Sequence, residues 1–178
     1  MNKSVLLASA LVLSGLSSSA FAAEGWFVRG EAGNTNIEID DADGDDDTYG
    51  VRGGYFFTPN VAVEGFYTNY GDDSGDGVSA KLSGFGAGVV GKKNFGPDAH
   101  TGFFISGRAG VVQIETKVRV DGVGSAKDDS TKGYVGVGVG YDFTNNFGLS
   151  LNYDYAQADV FDVDAKLKTA TFGIEYRF

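Results

Sequence analysis

The chain has 178 residues, room for one domain with a single core. It has no cysteine, which excludes disulfides and thiolate metal sites, and its formal net charge of −10 argues against nucleic acid as a partner. Twenty-eight glycines, two prolines and an aromatic content of 13% favour strands joined by turns over helices.

The first element is a targeting segment. Asn2-Lys3 is a short basic start, Val5 to Leu16 is apolar, and Ala20-Phe21-Ala22 is a small-x-small cleavage signature. This pattern predicts a signal peptide over 1–22 and a mature domain over 23–178. The apolar run is too short for a membrane anchor. Its removal takes away Lys3 and no acid, leaving a net charge of −11. No later stretch reaches the ~18 consecutive apolar residues of a membrane helix, a test to which alternating strands are invisible.

Eight segments with a period of two follow. The first, Trp26 to about Ile37, sets Trp26, Val28 and Ala32 against Arg29 and Glu31. The second, Tyr49 to Phe57, sets Tyr49, Val51, Gly53, Tyr55 and Phe57 against Arg52; the third, Val61 to Tyr70, sets Val61, Val63, Gly65 and Tyr67 against Glu64. The fourth, around Ser79 to Gly91, fits best with Gly84, Gly86 and Gly88 inside and Phe85, Ala87 and Val89 outside, where a bulge would reverse part of the pattern. The fifth, Phe103 to about Lys117, sets Phe103, Ile105, Ala109 and Val111 against Ser106 and Arg108. In the sixth, Tyr134 to Phe143, four apolar residues and Val135 alternate with Gly136, Gly138, Gly140 and Asp142. The seventh, Phe147 to Tyr155, opposes Leu149, Leu151 and Tyr153 to Ser150, Asn152 and Asp154. The eighth, about Leu167 to Phe178, opposes Phe172, Ile174, Tyr176 and Phe178 to Gly173, Glu175 and Arg177.

The connections alternate in length. Thr58–Asn60 and Thr144–Asn146 are short and Lys93–Thr101 is somewhat longer, whereas Asp40–Thr48, Gly71–Val78, Val118–Ser130 and Gln157–Lys166 are predicted to be long, acidic loops. The expected fold is all-β, an eight-stranded antiparallel up-and-down transmembrane β-barrel. A soluble lipocalin-like barrel or a β-sandwich would share the periodicity. The polar face separates them. It carries glycine, small hydroxyls and nine single charges: Arg29, Glu31, Arg52, Glu64, Arg108, Asp142, Asp154, Glu175 and Arg177. Four positive and five negative groups suit a packed, salt-bridged lumen. Tyr and Phe near the strand ends suit interfacial aromatic girdles.

The stretches YGVRGGYFFTPNVAVEGFYTNYG, SGRAG, YVGVGVGYDFTNNFGLSLNYDY and FGIEYRF, in this order, resemble the small outer-membrane barrels of the OmpA transmembrane domain and OmpX-like family over Trp26 to Phe178. The resemblance implies an outer-membrane protein of a Gram-negative bacterium, monomeric, with extracellular loops and periplasmic termini, in contact with membrane lipid and lipopolysaccharide. It also implies that Phe172, Ile174, Tyr176 and Phe178 form a C-terminal signal for the barrel-assembly machinery. OmpA holds interior charge pairs proposed to gate a narrow pore. Glu64 and Arg108 fall on such positions, Glu31 falls where OmpA has a base, and Gly140 and Ser150 replace two others, so the gate is not carried over intact. The peptidoglycan-binding domain of OmpA has no counterpart after Phe178, and no cell-wall anchoring is implied.

Three further motifs bear on chemistry. In Asp40-Asp41-Ala42-Asp43-Gly44-Asp45-Asp46-Asp47, the carboxylates of Asp41, Asp43, Asp45 and Asp47 could hold a divalent cation weakly or bridge to lipopolysaccharide through one. An EF-hand is excluded, because counting from Asp41 the sixth residue is Asp46 and the twelfth is Arg52. His100, the sole histidine, falls in a short connection away from the acidic loops, which argues against acyl-transfer chemistry at the outer face. YVGVGVGY is strand rather than a strand-to-helix turn, so it is not a dinucleotide fingerprint. The expected role is non-enzymatic and without cofactors, in envelope structure or surface interaction; a small-solute pore and a loop-mediated adhesin are the alternatives.

Overall fold

The computed structural model describes residues 25–39, 42–75, 78–97, 100–120, 124–160 and 163–178. Eight strands follow in order: β1 (Gly25–Ile39), β2 (Ala42–Thr58), β3 (Val61–Gly75), β4 (Val78–Asn94), β5 (Gly102–Val120), β6 (Gly124–Asp142), β7 (Phe147–Val160) and β8 (Val163–Arg177). Each pairs antiparallel with its chain neighbours, and β1 pairs with β8 to close the barrel. The Phe178 amide donates to the Trp26 carbonyl at 2.9 Å, extending that seam past the last strand. Closure removes the unpaired edges that an open sheet would present.

The strands run 14 to 19 residues, longer than the period-two segments. This corrects the expectation of long acidic loops: most of Asp40–Thr48, Gly71–Val78, Val118–Ser130 and Gln157–Lys166 is strand. Those stretches are rich in Asp, Gly and other small or polar residues, and no sustained alternation marks them. Pairing extends them, and polar partners lie across the strand. Asn36 Nδ2 donates to Asp45 and Asn34 Nδ2 to Asp47, at 3.1 and 3.2 Å.

The outward face defines a band. At the turn end it carries Trp26, Phe57, Phe103, Tyr141, Phe143 and Tyr176, all substantially exposed. Trp26 packs edge-on against Tyr55, and Tyr176 against Phe178, at ring separations of 5.4 and 5.2 Å. Tyr49, Tyr67, Phe85 and Tyr153 form the opposite rim, with Val51, Val63, Val89, Val137, Leu151 and Ile174 between the rims. From Tyr49 to Phe57, at ~3.3 Å per residue and a tilt of about 40°, the band is roughly 20 Å tall, close to the ~25 Å apolar belt of an outer-membrane barrel. The 19-residue strands β5 and β6 run on well past that belt. The barrel therefore continues as a polar collar at the long-hairpin end.

Phe85 and Val89 face outward on β4, at 49% and 56% exposure. The expected irregularity lies in β3 instead, where the register with β4 shifts between Asn69 and Gly71. The extra residue, Tyr70, turns into the lumen. Asn69 fixes the bulge by donating to the Tyr49 hydroxyl at 2.8 Å and accepting from the Gly71 amide at 3.0 Å.

Inward glycines make room for inward aromatics on neighbouring strands. A Cβ added at Gly86 would lie 2.6 Å from the Phe66 ring and 2.4 Å from the Val111 carbonyl, whereas one at outward Gly107 meets nothing within 4 Å. Gly86→Ala is accordingly expected to destabilise the barrel by about 1–3 kcal/mol through overpacking, and Gly107→Ala to leave it unchanged or slightly stabilised. Denaturant unfolding of refolded protein reads the difference, and equal effects would refute this packing account.

Candidate functional site

The lumen is the candidate site, built from inward positions of every strand. Arg29 and Glu31 come from β1, Arg52 from β2, Glu64 from β3, Arg108 from β5, Asp142 from the end of β6, Asp154 from β7, and Glu175 and Arg177 from β8; all nine are buried. A tenth charge, Lys92 on β4, is 4% exposed and joins them. Sequence reasoning missed it by ending the fourth strand at Gly91. The inward parity of Gly84, Gly86 and Gly88, continued two steps, reaches Lys92. With it the buried lumen charges among the described residues are five bases and five acids.

The ten groups form one continuous network. Arg52 donates to Glu31 at 2.8 Å and to Glu64 and Asp154 at 3.0 Å each. Arg108 bridges Glu31 at 2.9 Å and Asp154 at 2.7 Å. Arg29 lies 3.6 Å from Glu31 and pairs with Glu175, which links the middle of the lumen to its turn end. There Lys92 contacts Asp142 at 2.9 Å and Glu175 at 3.4 Å. Arg177 donates to Glu175 at 2.8 Å and pairs with Asp142, to which Asn94 donates at 2.7 Å. Aromatic faces flank the cations: Arg52 stands 4.3 Å from the Phe66 ring centre and Lys92 3.8 Å from that of Phe104. Burial of so many charges is tolerable only because each has several partners. Among the described residues two buried side-chain oxygens are left without a hydrogen-bond partner: Thr171 Oγ1, and Glu64 Oε2, although Tyr134 donates to the other Glu64 oxygen at 2.7 Å.

Above the network the lumen turns apolar. Phe66, Tyr70, Val112, Ile114, Tyr134, Ala156 and Leu167 form one buried cluster, with Ile37 and Leu82 packed against it. A second cluster, Phe27, Phe56, Ala62 and Val90, lies toward the turn end. These inward apolar residues were not expected from the sequence.

The acidic candidates stand apart from the lumen. Asp45 and Asp47 are exposed on the collar, each accepting from an asparagine. Asp41 lies outside the described residues, as does the Asp43 side chain. Among the described residues no group of three or more His, Cys, Asp and Glu converges as a metal site would require. Also on the collar, Lys168 donates to Glu38, and that hydrogen bond raises the lysine's pKa. His100 is half-buried and lines a cavity of about 10 Å³ at the turn-end mouth with Pro59, Lys92, Arg177 and Phe178. Phe172, Ile174 and Tyr176 lie on the outward face of β8, next to the seam with β1.

A closed eight-stranded antiparallel barrel with an apolar, aromatic-rimmed exterior and a charged, filled interior is a transmembrane barrel of the outer-membrane type. The chain belongs to the outer membrane protein β-barrel domain family, whose pattern matches residues 8–178. No curated protein sequence matches it. Among solved structures it is similar to Neisserial surface protein A (NspA), at a TM-score of 0.74 and 18% identity over 86% of this chain and 97% of that one. It is likewise similar to Ail, the attachment invasion locus protein of Yersinia pestis, at 0.64 and 19% over 88% and 99%. The N-terminal β-barrel domain of Pseudomonas aeruginosa OprF gives 0.55 and 22% over 85% and 97%. The likeness is one of fold.

Proposed function

We propose that the protein is a non-enzymatic, monomeric barrel of the outer membrane that contributes to envelope structure and presents a rigid acidic collar at the cell surface. The observation that carries this reading is where the charge sits. Among the described residues the buried lumen charges balance, five against five. The strand extensions and connections at the long-hairpin end contain seventeen acids and seven bases, a net of −10. Along the sequence, the chain's whole net charge thus falls in the stretches that extend beyond the apolar band at the long-hairpin end. Such a surface stays hydrated, repels polyanions and attracts cationic partners.

In this reading the collar faces outward, the turns and both mature termini face the periplasm, and lipid and lipopolysaccharide surround the band. Phe172, Ile174, Tyr176 and Phe178 serve as the assembly signal. The filled lumen favours a structural role over transport. The protein is expected to give no single-channel steps in planar bilayers when refolded and heat-modifiable on gels. Conductance from such preparations would move the function to a small-solute pore. Adhesion through the collar is the second reading. Its test is binding of cells by variants shortened at the hairpin tips, which lose binding only if the collar is the adhesive surface.

A further inference from the structure

The apolar cluster begins at the charged network, where Phe66 flanks Arg52 and Tyr134 donates to Glu64, and extends beyond it toward the long-hairpin end. On β5 the network residue is Arg108, and the cluster follows at Val112 and Ile114, about 13–20 Å further along the strand. Seven of the eight strands send an apolar side chain into this cluster or against it: Ile37 from β1, Phe66 and Tyr70 from β3, Leu82 from β4, Val112 and Ile114 from β5, Tyr134 from β6, Ala156 from β7 and Leu167 from β8. The β1–β2–β8 side is filled by hydroxyls, with Thr35 bonded to both Thr48 and Thr169. Every strand thus contributes to this lining, with apolar side chains from seven and threonine hydroxyls where β1, β2 and β8 meet. Val112, Ile114 and Leu167 are 0–2% exposed.

We infer that this apolar layer is the seal that closes the lumen toward the long-hairpin end, and that the ion-paired network beneath it is not the gate. A charge or water crossing the layer finds no partner among Val112, Ile114 and Leu167, and apolar constrictions bar ions by dewetting. The network level is different. A cavity of about 10 Å³, the size of one water, lies where it meets the seal, lined by Arg52, Tyr134, Asp154, Leu167 and Thr169 among others. Glu64 Oε2, unpartnered and bonded through its carboxylate to two of the same groups, is the kind of atom that recruits an internal water.

The chain has no cysteine, so a single reporter is unambiguous. Asn152→Cys places a thiol at the network level, and its labelling by a small, charged, water-soluble thiol reagent is measured on folded protein in micelles. Adding Ile114→Ser and Leu167→Ser is expected to speed labelling by about tenfold or more, a loss of at least about 1.4 kcal/mol of barrier. Conductance steps absent from the parent are expected to appear in bilayers. Glu64→Gln, which removes a network charge and leaves every apolar side chain of the seal in place, is expected to do neither. The turn end is the same in all variants, so the difference reads the seal. Should the double serine variant fail to show the heat shift of a folded barrel, Leu167→Ala decides on the same labelling rate. Unchanged labelling in the folded seal variant overturns the inference, as does equal acceleration by Glu64→Gln. Conductance by the unaltered protein would instead overturn the non-conducting reading above, so the two fail separately.

Discussion

Replacing Arg52 with alanine is expected to destabilise the folded barrel by about 3–5 kcal/mol, the largest loss anticipated from any single lumen substitution. Its guanidinium contacts three carboxylates from three strands: Glu31 on β1, Glu64 on β3 and Asp154 on β7. Removal leaves Glu64 with no other ion-pair partner among the described contacts and strips Glu31 and Asp154 of one of theirs. It also removes the cation beneath the Phe66 ring. Arg52→Lys keeps the charge but cannot reach three acids with one compact ammonium, so an intermediate loss is expected. Combining Arg52→Ala with Glu64→Gln should recover part of the deficit, because the second change removes an uncompensated buried charge. Equilibrium unfolding in detergent or bilayers measures all three. A loss below about 1 kcal/mol for Arg52→Ala would mean that water already solvates the network, and the packed-lumen account would fall.

Leu151→Arg is expected to cost about 2–4 kcal/mol in a bilayer, and Asn34→Arg close to nothing. Leu151 is 61% exposed, sits midway between Phe147 and Tyr155 on β7, and is flanked across the sheet by Val139 and Phe172. In water its exposure would make it an indifferent site; in hydrocarbon a guanidinium there loses its hydration. Asn34 lies on the same face of the barrel wall but beyond the apolar band, where it donates to Asp47. Unfolding of the two variants in lipid vesicles is the measurement. Equal costs would mean that the apolar band does not mark the depth of the membrane.

Much of this was legible in the sequence because alternation is a local signal. Tyr141 and Phe143 against Gly140 and Asp142 declare two faces within four residues, and the structure has those faces out and in respectively. Aromatic strand ends marked the membrane rims for the same reason. Where both faces have one character, the signal vanishes. The Asp-rich start of β2 is polar inside and out, so it read as loop. Phe56, apolar between Tyr55 and Phe57, breaks the alternation of character, and it is 4% exposed inside the lumen on the same face as Arg52. Its neighbour Phe27 fits there because Gly54, on the adjoining strand, leaves space for its ring.

The sequence by itself determined the class of fold, the number of strands, which face of each meets lipid and nine of the ten buried lumen charges, because each follows from residues two apart on one strand. Tertiary structure decided what those inward groups do. Arg52 finds its acids 12, 21 and 102 residues away, and Arg29 finds Glu175 across 146. Lys92 completes a neutral set that the sequence left one base short, and residues from seven strands meet in a layer that closes the lumen. Closing the barrel brings these groups within a few ångströms of one another, and only that closure fixes which charge is paired, which oxygen is left without a partner, and where the path through the lumen ends.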